Sequence, residues 1–143
     1  GEGEVMLRKY FNIGIAVDTK DGLLVPVITK ADKLSITEVA NEIIMLAEKA
    51  KNKKLLEKNL SGGTFSISSL GPMGGIGFTP IINPPEVAIL GVSRAKKVPV
   101  LEGNKLVEKT ILPLALSYDH RVINGADAGR FMTFLKSEIE KGL

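Results

Sequence analysis

The chain has one histidine, His120, in the stretch "SYDHRVINGADAGRF". Imidazole is the side chain whose ordinary pKa lets it take up and return a proton near neutrality. Asp119 precedes it, Arg121 follows it and Asn124 lies four residues on, all groups able to fix a ring tautomer through hydrogen bonds. The apolar run "ILPLALSYDH" would deliver His120 at the end of a strand, where reactive groups gain a rigid support. Gly125 permits a tight turn directly into a helix. The residues admit two readings: a general base held at a strand end, or an ordinary hydrogen-bonded histidine beside a turn.

Other chemistries are excluded or disfavoured by what is missing. With no cysteine in the chain, disulfides, cysteine-ligated zinc and covalent catalysis through an enzyme thiol are ruled out. No G-x-S-x-G elbow is present, so a serine acyl-enzyme is not expected. The Gly- and Pro-rich "PMGGIGFTPIINPP" has neither a Lys-Ser/Thr ending nor a G-x-G-x-x-G pattern. It reads as a loop that shapes a site or an interface, not as a nucleotide cradle. A net charge of +3, five phenylalanines, two tyrosines and no tryptophan are a poor endowment for stacking nucleic-acid bases. No apolar run approaches the ~20 residues of a membrane-spanning helix. The lysines of "KAKNKKLLEKNL" suit a solvated helix end, where they complement the helix dipole.

The elements that must position His120 follow from periodicity. "FNIGIAV" and "LLVPVI" flank the turn residues "DTKDG", which predicts a hairpin of Tyr10–Val17 with Leu23–Ile28. Pro26 suggests an edge or a bulge in its second strand. Ser35-Ile36-Thr37-Glu38 is a capping-box sequence. Apolar residues then recur at Ile36, Val39, Ala40, Ile43, Ala47 and Ala50, so a helix is predicted from Ile36 to Lys51. "TFSIS" alternates as a strand does, and "EVAILGVSRA" reads as a central strand. "VPVLEGNKLVEKTILPLALSYDH" reads as a hairpin turning at Gly103-Asn104, followed by one long strand ending near His120. A last helix begins near Gly125, with Phe131, Phe134, Leu135, Ile139 and Leu143 marking one face. At 143 residues and 44% hydrophobic, the expectation is one α+β domain: a mixed, mainly antiparallel sheet with helices packed on one face.

His120-Arg121-Val122-Ile123-Asn124-Gly125 resembles the H-x-x-x-D-G signature of the dihydrolipoamide acyltransferases, the core components of 2-oxo acid dehydrogenase complexes, whose fold is that of chloramphenicol acetyltransferase. "NIGIAVDTKDGLLVPVI", "GGTFSISSLG", "FTPIINPPEVAILGV" and "LPLALSYDHRVINGADAGRF" resemble that family's stretches in order and spacing. The resemblance covers nearly all of residues 1–143, as the C-terminal part of the catalytic domain. The family's N-terminal arm, lipoyl domain and subunit-binding domain are not found in it, and the strand-like sequence near the N-terminus suggests a chain entered midway. The signature's aspartate is Asn124 here, an amide that cannot form a charged pair with an arginine.

What the resemblance implies is acyl transfer from S-acyl-dihydrolipoamide to coenzyme A. A thiol with a pKa of about 8.5 is mostly protonated at neutral pH, so a base is needed, and His120 takes that role. By resemblance Ser68 supplies a hydroxyl to the oxyanion of the tetrahedral intermediate, a contribution of ~3 kcal/mol where such donors are preorganised. Ser69 is its nearest rival, and a strand-end turn serine is the plainer reading of either. Asn124 would orient the His120 loop, while Asp119 and Arg121 hold local backbone and charge; Asp18 receives no chemistry. Coenzyme A is a substrate, the lipoyl group rides on a domain outside this chain, and no metal is expected. The implied partners are further copies of the chain, as a trimer and a larger cage with His120 of one subunit facing Ser68 of the next. The 2-oxo acid decarboxylase and dihydrolipoamide dehydrogenase components would bind through domains outside the chain. No nucleic acid or membrane is implied, and the location is the cytoplasm, or the mitochondrial matrix in a eukaryote. The alternatives are a catalytically incomplete scaffold or fragment of that core, and a relative of chloramphenicol acetyltransferase acting on a hydroxyl acceptor.

Overall fold

The computed structural model describes residues 3–71 and 75–142. Its main sheet has five strands in the order β4-β1-β5-β6-β9, namely Val27–Ile28, Ile13–Ile15, Phe65–Ser69, Ala88–Val92 and Leu114–Tyr118. β5 runs parallel to both β1 and β6, whereas β4 and β9 pair antiparallel at the two edges. Two small ribbons complete the strands: β2 (Val17–Thr19) with β3 (Gly22–Leu24), and β7 (Lys96–Glu102) with β8 (Lys105–Ile111). The predicted mixed, mainly antiparallel α+β architecture is the one observed.

The first hairpin has the expected turn but not the expected continuity. At Ala16 the chain changes partner: the Ile15 amide donates to the Pro26 carbonyl at 2.9 Å, and the Ala16 amide donates across to Ile67 at 2.9 Å. Pro26 has no amide to donate, so the second strand cannot pair through it. The result is an inner pair, β1–β4, in the main sheet and an outer ribbon, β2–β3. β4 lies at the sheet edge, as Pro26 suggested, and Tyr10–Asn12 precede the strand instead of belonging to it.

The predicted long strand before His120 is likewise two strands. β8 stays in its ribbon with β7, which turns at Gly103-Asn104 as predicted, Gly103 having φ +58°. The chain breaks at Leu112-Pro113, and β9 joins the main sheet beside β6, the Ser93 amide donating to the Pro113 carbonyl at 3.0 Å. Again a proline marks the place where ladder pairing cannot run on.

β5 and β6 are parallel, and parallel neighbours need a crossover, commonly a helix. Here the link is the Gly- and Pro-rich loop, which passes over one sheet face. A Cβ at Gly91 would stand 3.0 Å from Pro80 Cδ and 3.2 Å from Phe78 Cζ, and Ser117 Oγ donates to the Pro80 carbonyl at 2.6 Å. Residues 72–74 of that loop lie outside the described residues. The opposite face receives the second helix, α2 (Gly125–Lys141), through Phe131 on Phe65 with ring centroids 5.9 Å apart.

The first helix, α1 (Ile36–Lys51), has the predicted limits. Its capping box is complete: the Glu38 amide donates to Ser35 Oγ at 3.3 Å and the Ser35 amide to Glu38 Oε2 at 2.7 Å. The Ser35 bonds hold the Glu38 carboxyl below its usual range. The predicted apolar stripe is shifted, however. Leu46 and Ala50 are buried, flanked by half-buried Val39 and Ile43, while Ile36 is 63% exposed and Ala40 is also exposed. α2 departs further. Ala128 is buried and Met132 and Leu135 are half-buried, while Phe131 and Ile139 are partly exposed and Phe134 is 65% exposed, and Leu143 lies outside the described residues. The buried face follows the i, i+4, i+7 series from Ala128, with Phe131 meeting Phe65 at its margin.

Replacing Ser35 with Ala leaves the Glu38 amide without its acceptor. The expected loss is about 1 kcal/mol of stability, read as a lower denaturant midpoint with an unchanged slope.

Candidate active site

The loop bearing His120 is built from the last rung of a ladder. Beyond the β6–β9 pairing, in which Tyr118 aligns with Ala88, the Asp119 amide donates to the Val87 carbonyl at 2.8 Å. The Asp119 carbonyl then accepts from the amides of Val122 at 3.0 Å and Ile123 at 2.9 Å, which turns the chain. Asp119 Oδ1 takes the Arg121 amide at 2.9 Å, and the Arg121 guanidinium folds back onto both carboxylate oxygens at 2.6–3.2 Å. These Arg121 bonds pull the Asp119 carboxyl down to about 2.

The far end of the loop is the start of α2. Asn124 is its N-cap: Oδ1 accepts from the Asp127 amide at 2.9 Å, and Nδ2 donates to Asp127 Oδ2 at 2.6 Å. Asp127 also pairs with Arg130. The amide at position 124 is therefore suited to its neighbour. A carboxylate there would cap as well, but it would face the Asp127 oxygens with no hydrogen to offer.

His120 sits between these two anchors and is exposed to solvent. Its ring stacks obliquely on Tyr118, with centroids 5.7 Å apart and planes at 39°. Among the described residues no hydrogen bond reaches the imidazole. Asp119, Arg121 and Asn124, expected to fix its tautomer, are instead committed to one another, to Asp127 and to the backbone.

Ser68 is half-buried on β5, and its hydroxyl makes no hydrogen bond among the described residues. Ser69, its rival, is occupied as a turn residue, accepting from the Gly71 amide at 3.2 Å. Ser68 aligns with Gly91, and Gly91 with Ala115. From Ala115 the chain must still travel to Tyr118 and beyond to reach His120. At ~3.3 Å per strand residue, the two side chains stand on the order of 15 Å apart, at opposite ends of the sheet. One chain thus supplies a histidine at one end and a free serine hydroxyl at the other, and the two do not meet within it. Two hollows, one between Leu112, Leu114 and Met132 and one between Val27, Leu34, Met45 and Leu46, do not reach either residue.

The structure adds a polar pair that the sequence reading passed over. Ser66 is completely buried beside Gly14, where a Cβ would lie 2.5 Å from its Oγ. The Glu86 carboxyl lies where a Cβ on Gly63 would stand, with Oε2 and Ser66 Oγ both buried and without hydrogen-bond partners. Burial pushes the Glu86 carboxyl above its ordinary range, and the nearby Ser66 hydroxyl only partly opposes this. The alternation of "TFSIS" placed Ser66 and Ser68 on one face; nothing in the sequence placed Glu86 against Ser66.

A mixed sheet with an N-capped helix on one face thus carries an exposed histidine where one strand ends and a half-buried serine at the far end of another. The family model for the 2-oxoacid dehydrogenases acyltransferase (catalytic domain) matches residues 1–142, and the chain belongs to that family. It is 58% identical over 130 residues to the dihydrolipoyllysine-residue acetyltransferase component of the pyruvate dehydrogenase complex of Pseudomonas aeruginosa, covering 90% of this chain and 24% of that protein. It is similar to the dihydrolipoamide acetyltransferase of Azotobacter vinelandii, at TM-score 0.89 and 54% identity, over 93% of this chain and 55% of that one. That structure was studied for the roles of a serine, a histidine and an asparagine in the catalytic mechanism, the serine 52 residues before the histidine and the asparagine four after it. The cubic core of the pyruvate dehydrogenase multienzyme complex is also similar, at TM-score 0.85 and 57% identity, over 88% of this chain and 52% of that one. The chain spans about a quarter of the length of the Pseudomonas relative and about half of the two solved cores.

Two pH responses follow from the carboxyls. Asp119 has a lowered pKa, so its contribution to stability is present above the ordinary carboxylate pKa and is lost as pH falls from about 4 to about 2. In Arg121→Ala the Asp119 titration, followed by NMR of its carboxyl carbon, is expected to move up toward the ordinary value. Glu86 has a raised pKa, so the fold favours its protonated form and loses stability as pH rises above about 4.3 and through the folded value. Glu86→Gln is expected to abolish that decline in denaturation midpoints measured across pH.

Proposed function

We propose that the protein carrying this chain moves an acyl group from S-acyl-dihydrolipoamide to coenzyme A, with His120 as general base and Ser68 as oxyanion donor. Asn124 holds the His120 loop through the α2 cap. The coenzyme A thiol gives its proton to the imidazole as sulfur attacks the thioester carbonyl. Ser68 donates to the resulting oxyanion. Collapse of the tetrahedral intermediate breaks the bond to the dihydrolipoyl sulfur, which takes the proton back from the imidazolium. Neither residue forms a covalent intermediate.

The observation that carries this reading is the separation of Ser68 and His120 at opposite ends of one sheet, combined with their spacing. Ser68, His120 and Asn124 stand 52 and four residues apart, the separations of the serine, histidine and asparagine studied in the Azotobacter enzyme. A site with one member at each end is completed by a second copy. Head-to-tail contacts of that sort close into rings, which supports a trimer as the unit and a larger cage, such as the cubic core above, as its assembly. Coenzyme A and the lipoyl arm then meet between subunits. The decarboxylase and dihydrolipoamide dehydrogenase components act through domains outside this chain.

The test is complementation in the assembled protein. His120→Ala and Ser68→Ala are each expected to lose most thioester exchange between acyl-CoA and dihydrolipoamide. Unfolded, mixed in equal amounts and reassembled, they should recover about one site in four, since each site draws one residue from each of two neighbours. A mixture no more active than its components contradicts the shared site. Undiminished turnover in His120→Ala contradicts the base. A wild-type assembly without exchange activity would instead identify the chain as a scaffold.

A further inference from the structure

Two of the three charged or polar neighbours of His120, Asp119 and Asn124, have their side-chain oxygens bonded to Arg121 and Asp127, and Arg121 is bonded to Asp119. None is left to aim the imidazole. A base that must meet a thiol delivered from solvent loses rate for every ring orientation that points elsewhere. The side chain that does touch the ring is Tyr118, the last residue of β9.

We infer that Tyr118 is a positioning residue for His120: its ring is the surface against which the imidazole is set and held during proton transfer. This rests on the reading of His120 as the base. Two features support the role. The contact lies within the 4.5–7 Å centroid range of attractive aromatic pairs. Tyr118 is itself held, half-buried, with its backbone in register with the buried Ala88 and its hydroxyl tucked against the first residue of α2, where a Cβ on Gly125 would lie 3.7 Å from the oxygen. The position of Tyr118 on the strand matters for this. It belongs to the rigid ladder, whereas His120 belongs to the loop.

The experiment compares Tyr118→Phe and Tyr118→Leu with wild type and His120→Ala, all in the assembled protein. Leu keeps apolar bulk at the strand end, so folding is preserved while the π-face is lost. The imidazole ring-proton NMR signal of His120 is identified as the one that His120→Ala removes. Phe is expected to keep the ring-current shift of that signal and near wild-type kcat. Leu is expected to return the signal to the position of an unstacked imidazole and to lower kcat about 2- to 10-fold with little change in KM. An unmoved histidine signal in Tyr118→Leu would overturn the packing claim whatever the role of His120. A moved signal with unchanged kcat, alongside an inactive His120→Ala, would overturn the positioning role and leave the base in place. Retained turnover in His120→Ala would remove both.

Discussion

The antiparallel return of β9 along β6 governs the geometry of everything functional here. Five aligned residue pairs, from Ala88–Tyr118 to Val92–Leu114, fix the register, and the Asp119 amide to Val87 carbonyl bond adds one rung more. A strand cannot slip by one residue without exchanging its faces. Tyr118 is thus locked on the α2 side and His120 is released where the ladder ends. Because β9 opposes β6 while β5 runs with it, the exit of β9 lies at the entrance of β5. Ser68, near the exit of β5, is accordingly remote from His120. The remoteness of Ser68 from His120 is a consequence of strand direction, not of any particular side chain.

Around that rung the loop is secured without using the histidine. Arg121 folds onto Asp119, and Asn124 onto Asp127, so each charged or polar group within the loop has a partner within a few residues. Local pairs of this kind are individually weak on an exposed surface. Their value is that they close the turn at both ends while leaving the imidazole free of hydrogen bonds and open to solvent. The low pKa of Asp119 is the electrostatic mark of that closure.

Several large apolar side chains lie on the surface. Leu101 and Leu106, opposite each other on the β7–β8 ribbon, are 67% and 75% exposed, and Phe134 on α2 is 65% exposed. A two-stranded ribbon is marginal by itself in water, so exposed leucines on both of its strands are in keeping with the shared site proposed above.

Elements with local signals were legible in the sequence. The capping box at Ser35 located α1, Gly103-Asn104 located a hairpin turn, and the apolar run into Asp119-His120 located the histidine at a strand end. Local signals failed where a proline let one apolar run serve two sheets, at Pro26 and Pro113, since periodicity continues through a change of partner. Helix faces were misjudged for a related reason. On α2 the sequence offers Phe131, Phe134, Leu135, Ile139 and Leu143 as the apolar side; Leu135 is half-buried and Phe131 meets Phe65, but Ala128 and Met132 supply the rest of the covered face and Phe134 is left exposed. The sequence by itself determined which residue types are available for chemistry and which lie at the ends of strands. Only the tertiary structure decided which strands run parallel, and so that His120 and Ser68 stand apart, that Glu86 is buried against Ser66 and that Tyr118 backs the imidazole. Those relations depend on contacts between segments distant along the chain, which no local pattern encodes.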